Sequence, residues 1–168
     1  MPDVTSYVCG RCGERHHGVS FAYAFNAPAY WGNTVVGEDD CVLEEELCII
    51  RGESFFIRAR IIIPVTDADT DFEWGVWVSL SLPNFSRTLD LWDTPGRESE
   101  EPYFGWLSSD IPSYEPTTLE LKTHVHTQPV GQRPVVELEP TDHPLAVEQR
   151  TGITVARVQR IAELMLHS

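Results

Sequence analysis

The chain has no apolar run approaching the roughly 20 residues that span a bilayer, and its first residues show neither the basic nor the apolar stretch of a secretory signal. Both absences set the expectation of a soluble, cytoplasmic protein that does not act at a membrane. Basic residues are scarce, 12 Lys and Arg against 26 Asp and Glu, for a net charge of −14. That surplus repels a phosphate backbone at long range, which argues against nucleic acid as a partner and in favour of another protein with a basic surface. Recognisable reaction motifs are also missing. There is no Gly-x-Ser-x-Gly elbow, no glycine-rich dinucleotide turn after a strand and no Walker loop. Nor is there a helical histidine pair, or the His-x-Glu with Pro-Cys-x-x-Cys order of zinc hydrolases and deaminases.

Cysteine is sparse as well, with 4 in 168 residues. A chain of this length buries about two thirds of its unfolded surface and needs no lattice of disulfides to fold. In a reducing compartment the four read as metal ligands or buried thiols. Two of them stand in Cys9-Gly10-Arg11-Cys12-Gly13-Glu14-Arg15-His16-His17-Gly18, where glycines let the backbone curl so that both sulfurs face one cation. Cys48 is the third expected ligand of a tetrahedral zinc, and the residues leave Cys41 and His16 open as the fourth. Three or more such ligands favour a closed, structural site over a catalytic one. A redox role fits poorly, because a thioredoxin-like pair should open a helix after a strand.

Along the chain, residues 1–48 form the knuckle arm and an acidic loop, 49–140 the sheet and 141–168 a helical C-terminus, all within a single domain. Period-two alternation predicts a strand over 55–63, ended by Pro64, and a second over 72–82, joined as a hairpin. A short helix follows over 84–93. Residues 103–117 read as a crossing connection over the sheet, followed by strands near 119–126 and 134–139. Pro144 opens a helix capped by Asp142 or His143, Gly152 stops it, and Thr154 caps a last helix with Val155, Val158, Ile161, Ala162 and Met165 on one face. The expected fold is α+β: a twisted antiparallel sheet of about four to six strands, a C-terminal helix packed on it and an N-terminal CxxC metal knuckle.

The knuckle with His16, Leu47-Cys48, Trp74-Gly75-Val76-Trp77-Val78-Ser79-Leu80-Ser81, Gly105-Trp106-Leu107, Arg133-Pro134 and His143-Pro144-Leu145-Ala146-Val147-Glu148-Gln149 occur in one order over nearly the whole chain. Together they resemble the bacterial family called domain of unknown function 2199. The resemblance implies a bacterial, stand-alone, soluble domain, and it carries over no catalytic residue. Cys41 is not a position of that pattern, so the resemblance favours His16 as fourth ligand and the set Cys9, Cys12, His16 and Cys48.

A second candidate site is His124, His126 and His143. His-x-His on a strand aims two imidazoles at one face, and a third with Glu120 or Glu148 would complete a set for a non-haem metal. Ordinary solvent-facing residues and a helix start explain the same three. Trp77, on the opposite strand face from Trp74, is the one tryptophan placed to form a sugar-stacking platform, provided that face is open. Two functional readings follow. One is a non-enzymatic acidic interaction domain with structural zinc, binding a basic partner in the manner of an immunity protein. The other is a metal-dependent enzyme or small-molecule binder using the histidines and nearby carboxylates.

Overall fold

A computed structural model describes residues 6–16, 18–32 and 35–167; His17 of the knuckle string lies outside them. β1 (Tyr7–Val8) and β2 (Arg15–His16) pair antiparallel as a small ribbon around the Cys-x-x-Cys turn. The main sheet comprises β3 (Ala22–Ala24), β4 (Val42–Leu43), β5 (Leu47–Ile50), β6 (Ser54–Ile63), β7 (Phe72–Leu80), β8 (Tyr103–Leu107), β9 (Lys122–His126) and β10 (Val135–Leu138). Among the described residues three α-helices accompany the sheet, α1 (Leu82–Asp90), α2 (Pro144–Thr151) and α3 (Val155–Leu166).

The long β6–β7 hairpin pairs antiparallel from Phe55 opposite Leu80 to Ile63 opposite Phe72. From β7 the chain meanders through β8, β9 and β10, and β10 then meets the free edge of β6 in parallel, Val135 opposite Arg60. Five strands therefore close into a barrel. Each hairpin strand shares its outer edge between two neighbours: β7 carries β3 beside Glu73 to Gly75 and β8 beside Val78 and Ser79, while β6 carries β5 beside Ser54 to Ile57 and β10 beside Arg60.

The α+β class, the hairpin and the C-terminal helix agree with the sequence. The sheet differs in three ways: among the described residues it has eight strands, two of its junctions are parallel, and it curls shut. Residues 103–107, expected as part of a crossing connection, are barrel strand β8. Tyr103, Gly105 and Leu107 point inward and Phe104 and Trp106 outward, but glycine at the central inward position hides the alternation. That glycine is required. A Cβ on Gly105 would collide with Val78 and lie 2.9 Å from the Ser79 carbonyl oxygen.

Inward residues of the strands, among them Ile57, Ile61, Trp74, Val76, Leu107, Val125 and Val136, form the main core. The apolar stripe of α3 closes on it through Val158, Ile161 and Ala162, and Thr154 caps that helix as its sequence predicts. A second core lies on the opposite face of β5, β6 and β7, where Cys48, Ile50, Phe56 and Trp77 are covered by the segment bearing Phe25, Trp31 and Val35. Trp74 and Trp77 are both fully buried, so neither offers a platform for a sugar.

Candidate functional site

At the N-terminal arm the backbone folds into a tight loop. The Cys9 N–H donates to the Glu14 carbonyl at 2.8 Å and the Gly13 N–H to the Cys9 carbonyl at 2.9 Å, with Gly13 in the left-handed region at φ 74°. This turn brings the Cys12 sulfur to 3.2 Å from His16 Nε2. The other half comes from the far end of the chain. His167 ends α3, and its Nε2 lies 3.3 Å from the Cys9 sulfur. The four donor atoms of Cys9, Cys12, His16 and His167 fall within 4.8 Å of one another, the one such group of three or more metal-binding side chains among the described residues. Metal–ligand bonds of about 2.0–2.3 Å place tetrahedral ligand atoms roughly 3.3–3.8 Å apart, so the cluster is of a size to hold one ion.

The surroundings favour charge on sulfur. Burial alone raises a thiol's pKa, yet the Cys9 thiol is held below its ordinary value by the backbone amides of Cys12 and Arg11 and by the Cys12 side chain. The Arg11 N–H stands 3.4 Å from the Cys9 sulfur. Helix α3 fixes the knuckle a second time, since Glu163 accepts the Gly10 N–H at 2.8 Å. A side chain at position 10 would press on that carboxylate at 3.1 Å.

Of the four ligands expected from sequence, Cys9, Cys12 and His16 come together and Cys48 does not. Alternation along β5 turns Cys48 away from the barrel core, to which Cys9 belongs, and into the second core opposite Phe56. Its thiol is pushed up to about 12 by burial and, secondarily, by Cys41. Cys41 sits nearby and accepts the Arg51 N–H. His167 takes the place expected for Cys48. No spacing rule points to it, because it is 151 residues from His16 and becomes a neighbour only when α3 docks.

His124, His126 and His143 do not assemble. His124 and His126 lie half-exposed on the outer face of β9, 3.6 Å from Glu139 and 3.8 Å from Glu137 respectively. His143 is the buried N-cap of α2: its Nδ1 accepts the Leu145 N–H at 3.1 Å, which leaves Nε2 to donate to the Pro116 carbonyl at 2.9 Å. Both ring nitrogens are committed to the backbone. Strand register sets Phe104 opposite His124 and His124 opposite Glu137, with Trp106 opposite Lys122 in the next outward row. Phe104 and Trp106 meet edge to face at 5.1 Å and remain about 40% exposed.

Residues 8–153 match the family model described as an uncharacterized protein conserved in bacteria, DUF2199. The chain belongs to this family. The DUF2199 match includes Cys9, Cys12 and His16 and ends before α3 and His167. Among curated proteins and among solved structures, none matches the chain. No helix among the described residues is long and apolar enough to cross a membrane.

Proposed function

We propose that this DUF2199 chain is a zinc-stabilised interaction domain without chemistry of its own, which docks a basic protein surface, as an immunity protein does in covering a cationic toxin. The observation that carries the reading is the cluster of Cys9, Cys12, His16 and His167. Four protein ligands fill a tetrahedral shell and leave no position for substrate, and two thiolates with two imidazoles suit zinc. The ion joins the N-terminal knuckle to the end of α3, so its role is to hold the knuckle against that helix.

For the partner, the support is charge and one outward face. The chain carries −14, and the exposed aromatics Phe104 and Trp106 on β8 share an outward face with Glu137 on β10, across His124 of the intervening β9. Arginine and lysine stack on indole faces and pair with carboxylates, and acidic rims speed and orient the approach of cationic partners.

Metal analysis of protein purified without added metal is expected to give one equivalent of zinc, falling to none in His167→Ala combined with Cys12→Ser. Protein that binds no zinc in either form overturns the metal reading. For docking, a fluorescein-labelled arginine-rich peptide is titrated against the chain. Trp106→Ala with Glu137→Gln is expected to weaken it at least tenfold, and equal affinity for wild type and variant overturns the assignment of this face.

A further inference from the structure

A cavity of about 660 Å³ opens beside the barrel, and the sharing of the β6 edge creates it. β5 leaves β6 after Leu47 pairs with Ile57, and β10 arrives at Arg60. The Arg58 N–H still reaches the Glu46 carbonyl and the Arg60 N–H the Pro134 carbonyl, each at 3.0 Å, so the two neighbours diverge across this short stretch. Ile57 and Val125 line the gap from the core side, and the partly exposed indole of Trp92 lines it as well. Between the diverging strands Arg133 grips Glu46 through three contacts of 2.7 to 3.0 Å. A concave site of this volume, mostly apolar with a few convergent polar groups, is the usual form of a small-molecule site at a barrel mouth.

The charges in it run against those of the whole molecule. Three arginines, Arg60, Arg97 and Arg133, line the cavity, with Glu46 and Asp93 as the acids. Arg133 is neutralised by Glu46. Arg97 is 9% exposed and donates four hydrogen bonds, all to neutral carbonyls, those of Gln128, Trp92, Pro129 and Gln132. None of the described ion pairs includes it, so its charge is held in place without a contacting carboxylate. Arg60 pairs with Glu73 through Nη1 at 3.2 Å, while its Nε is buried without a partner.

We propose that this cavity binds a small organic carboxylate with an aromatic body, the ring against Trp92 and Ile57 and the carboxylate toward Arg60 and Arg97. Orientation follows from the lining: the apolar floor takes the ring, and the cations at its side take the acid through charge-assisted hydrogen bonds. The site is separate from the outward aromatic face and from the zinc ligands, so it stands or falls independently of both.

The test uses the full chain and 4-(trifluoromethyl)phenylacetate, followed by ¹⁹F NMR, with the matching amide as neutral control. A saturable shift is expected for the carboxylate, with the amide at least tenfold weaker. Arg60→Gln should lose at least tenfold in affinity and Arg60→Lys less, each checked for folding by its amide NMR spectrum. Trp92→Ala should also weaken binding, and Trp106→Ala should leave it unchanged. Equal binding of acid and amide, or no saturable shift with either, overturns the proposal; so does a folded Arg60→Gln that binds as well as wild type.

Discussion

Cys9 and Cys48 are buried to nearly the same degree, 1% and 0% exposed, and their thiols are driven in opposite directions. At Cys9 the backbone amides of Cys12 and Arg11 in a tight glycine-bearing turn, with the Cys12 side chain, outweigh burial and hold the thiol below its ordinary value. Cys48 faces aromatic and aliphatic side chains with Cys41 as its nearest ionisable neighbour, and its thiol rises to about 12. What separates the two thiols is therefore the donors aimed at the sulfur, not the depth of burial. One cysteine belongs to a Cys/His cluster that brings the knuckle against the end of α3; the other helps fill a hydrophobic layer.

The largest effect expected from probing this contrast is in the second core. Trp77→Ala should cost about 3–5 kcal/mol in chemical denaturation, the usual scale for a buried tryptophan, while the folded protein keeps its zinc. Loss of metal together with stability would show that the two regions are not independent. Cys12→Ser should abolish zinc binding and lower stability by about 2.7 kcal/mol when free zinc is a hundredfold over the dissociation constant, with no difference from wild type once a chelator is present. Cys48→Ala is smaller, about 1 kcal/mol for lost packing, with one zinc retained. Alkylation read by mass spectrometry sharpens the same point: with zinc removed Cys12 should react in the native protein, whereas Cys48 should react only on unfolding.

The smallest effect asks whether partners also govern a carboxylate. Glu100 is held near pH 2, because the Arg87 guanidinium and the Tyr103 hydroxyl both donate to it. Its depressed pKa contributes stability above the ordinary value of 4.5, and that contribution is lost as pH falls from there toward about 2. Glu100→Gln should flatten the acid limb of a stability–pH curve within that window by lowering stability above it, and leave stability near pH 2 unchanged. An unaltered limb would assign acid sensitivity to other groups.

Much of the frame is local and was therefore legible. The alternation through β6 and β7, Pro64 at the end of β6, Gly152 after α2 and Thr154 before α3 each act through their own neighbours, and each does what its sequence context predicts. The knuckle was legible for the same reason, since Cys9, Cys12 and His16 are brought together by a single turn. β8 was hidden by Gly105, whose missing side chain reports a close approach of strands that the sequence cannot display.

By itself, then, the sequence determined the hairpin, the bounds of α2, the start of α3 and three of the four clustered Cys and His side chains, because these depend on side-chain alternation, caps and turn geometry within a few residues; α1, expected over 84–93, instead spans Leu82–Asp90 from its Ser81 cap. Tertiary structure alone decided that the sheet closes through β10 and β6, that Cys48 turns into the second core and that His167 completes the cluster. Those outcomes depend on which face of a strand meets which layer and on where the end of α3 docks. Contacts between residues far apart in the sequence, 75 positions for Val135 and Arg60 and 158 for Cys9 and His167, leave no periodic trace in the chain that makes them.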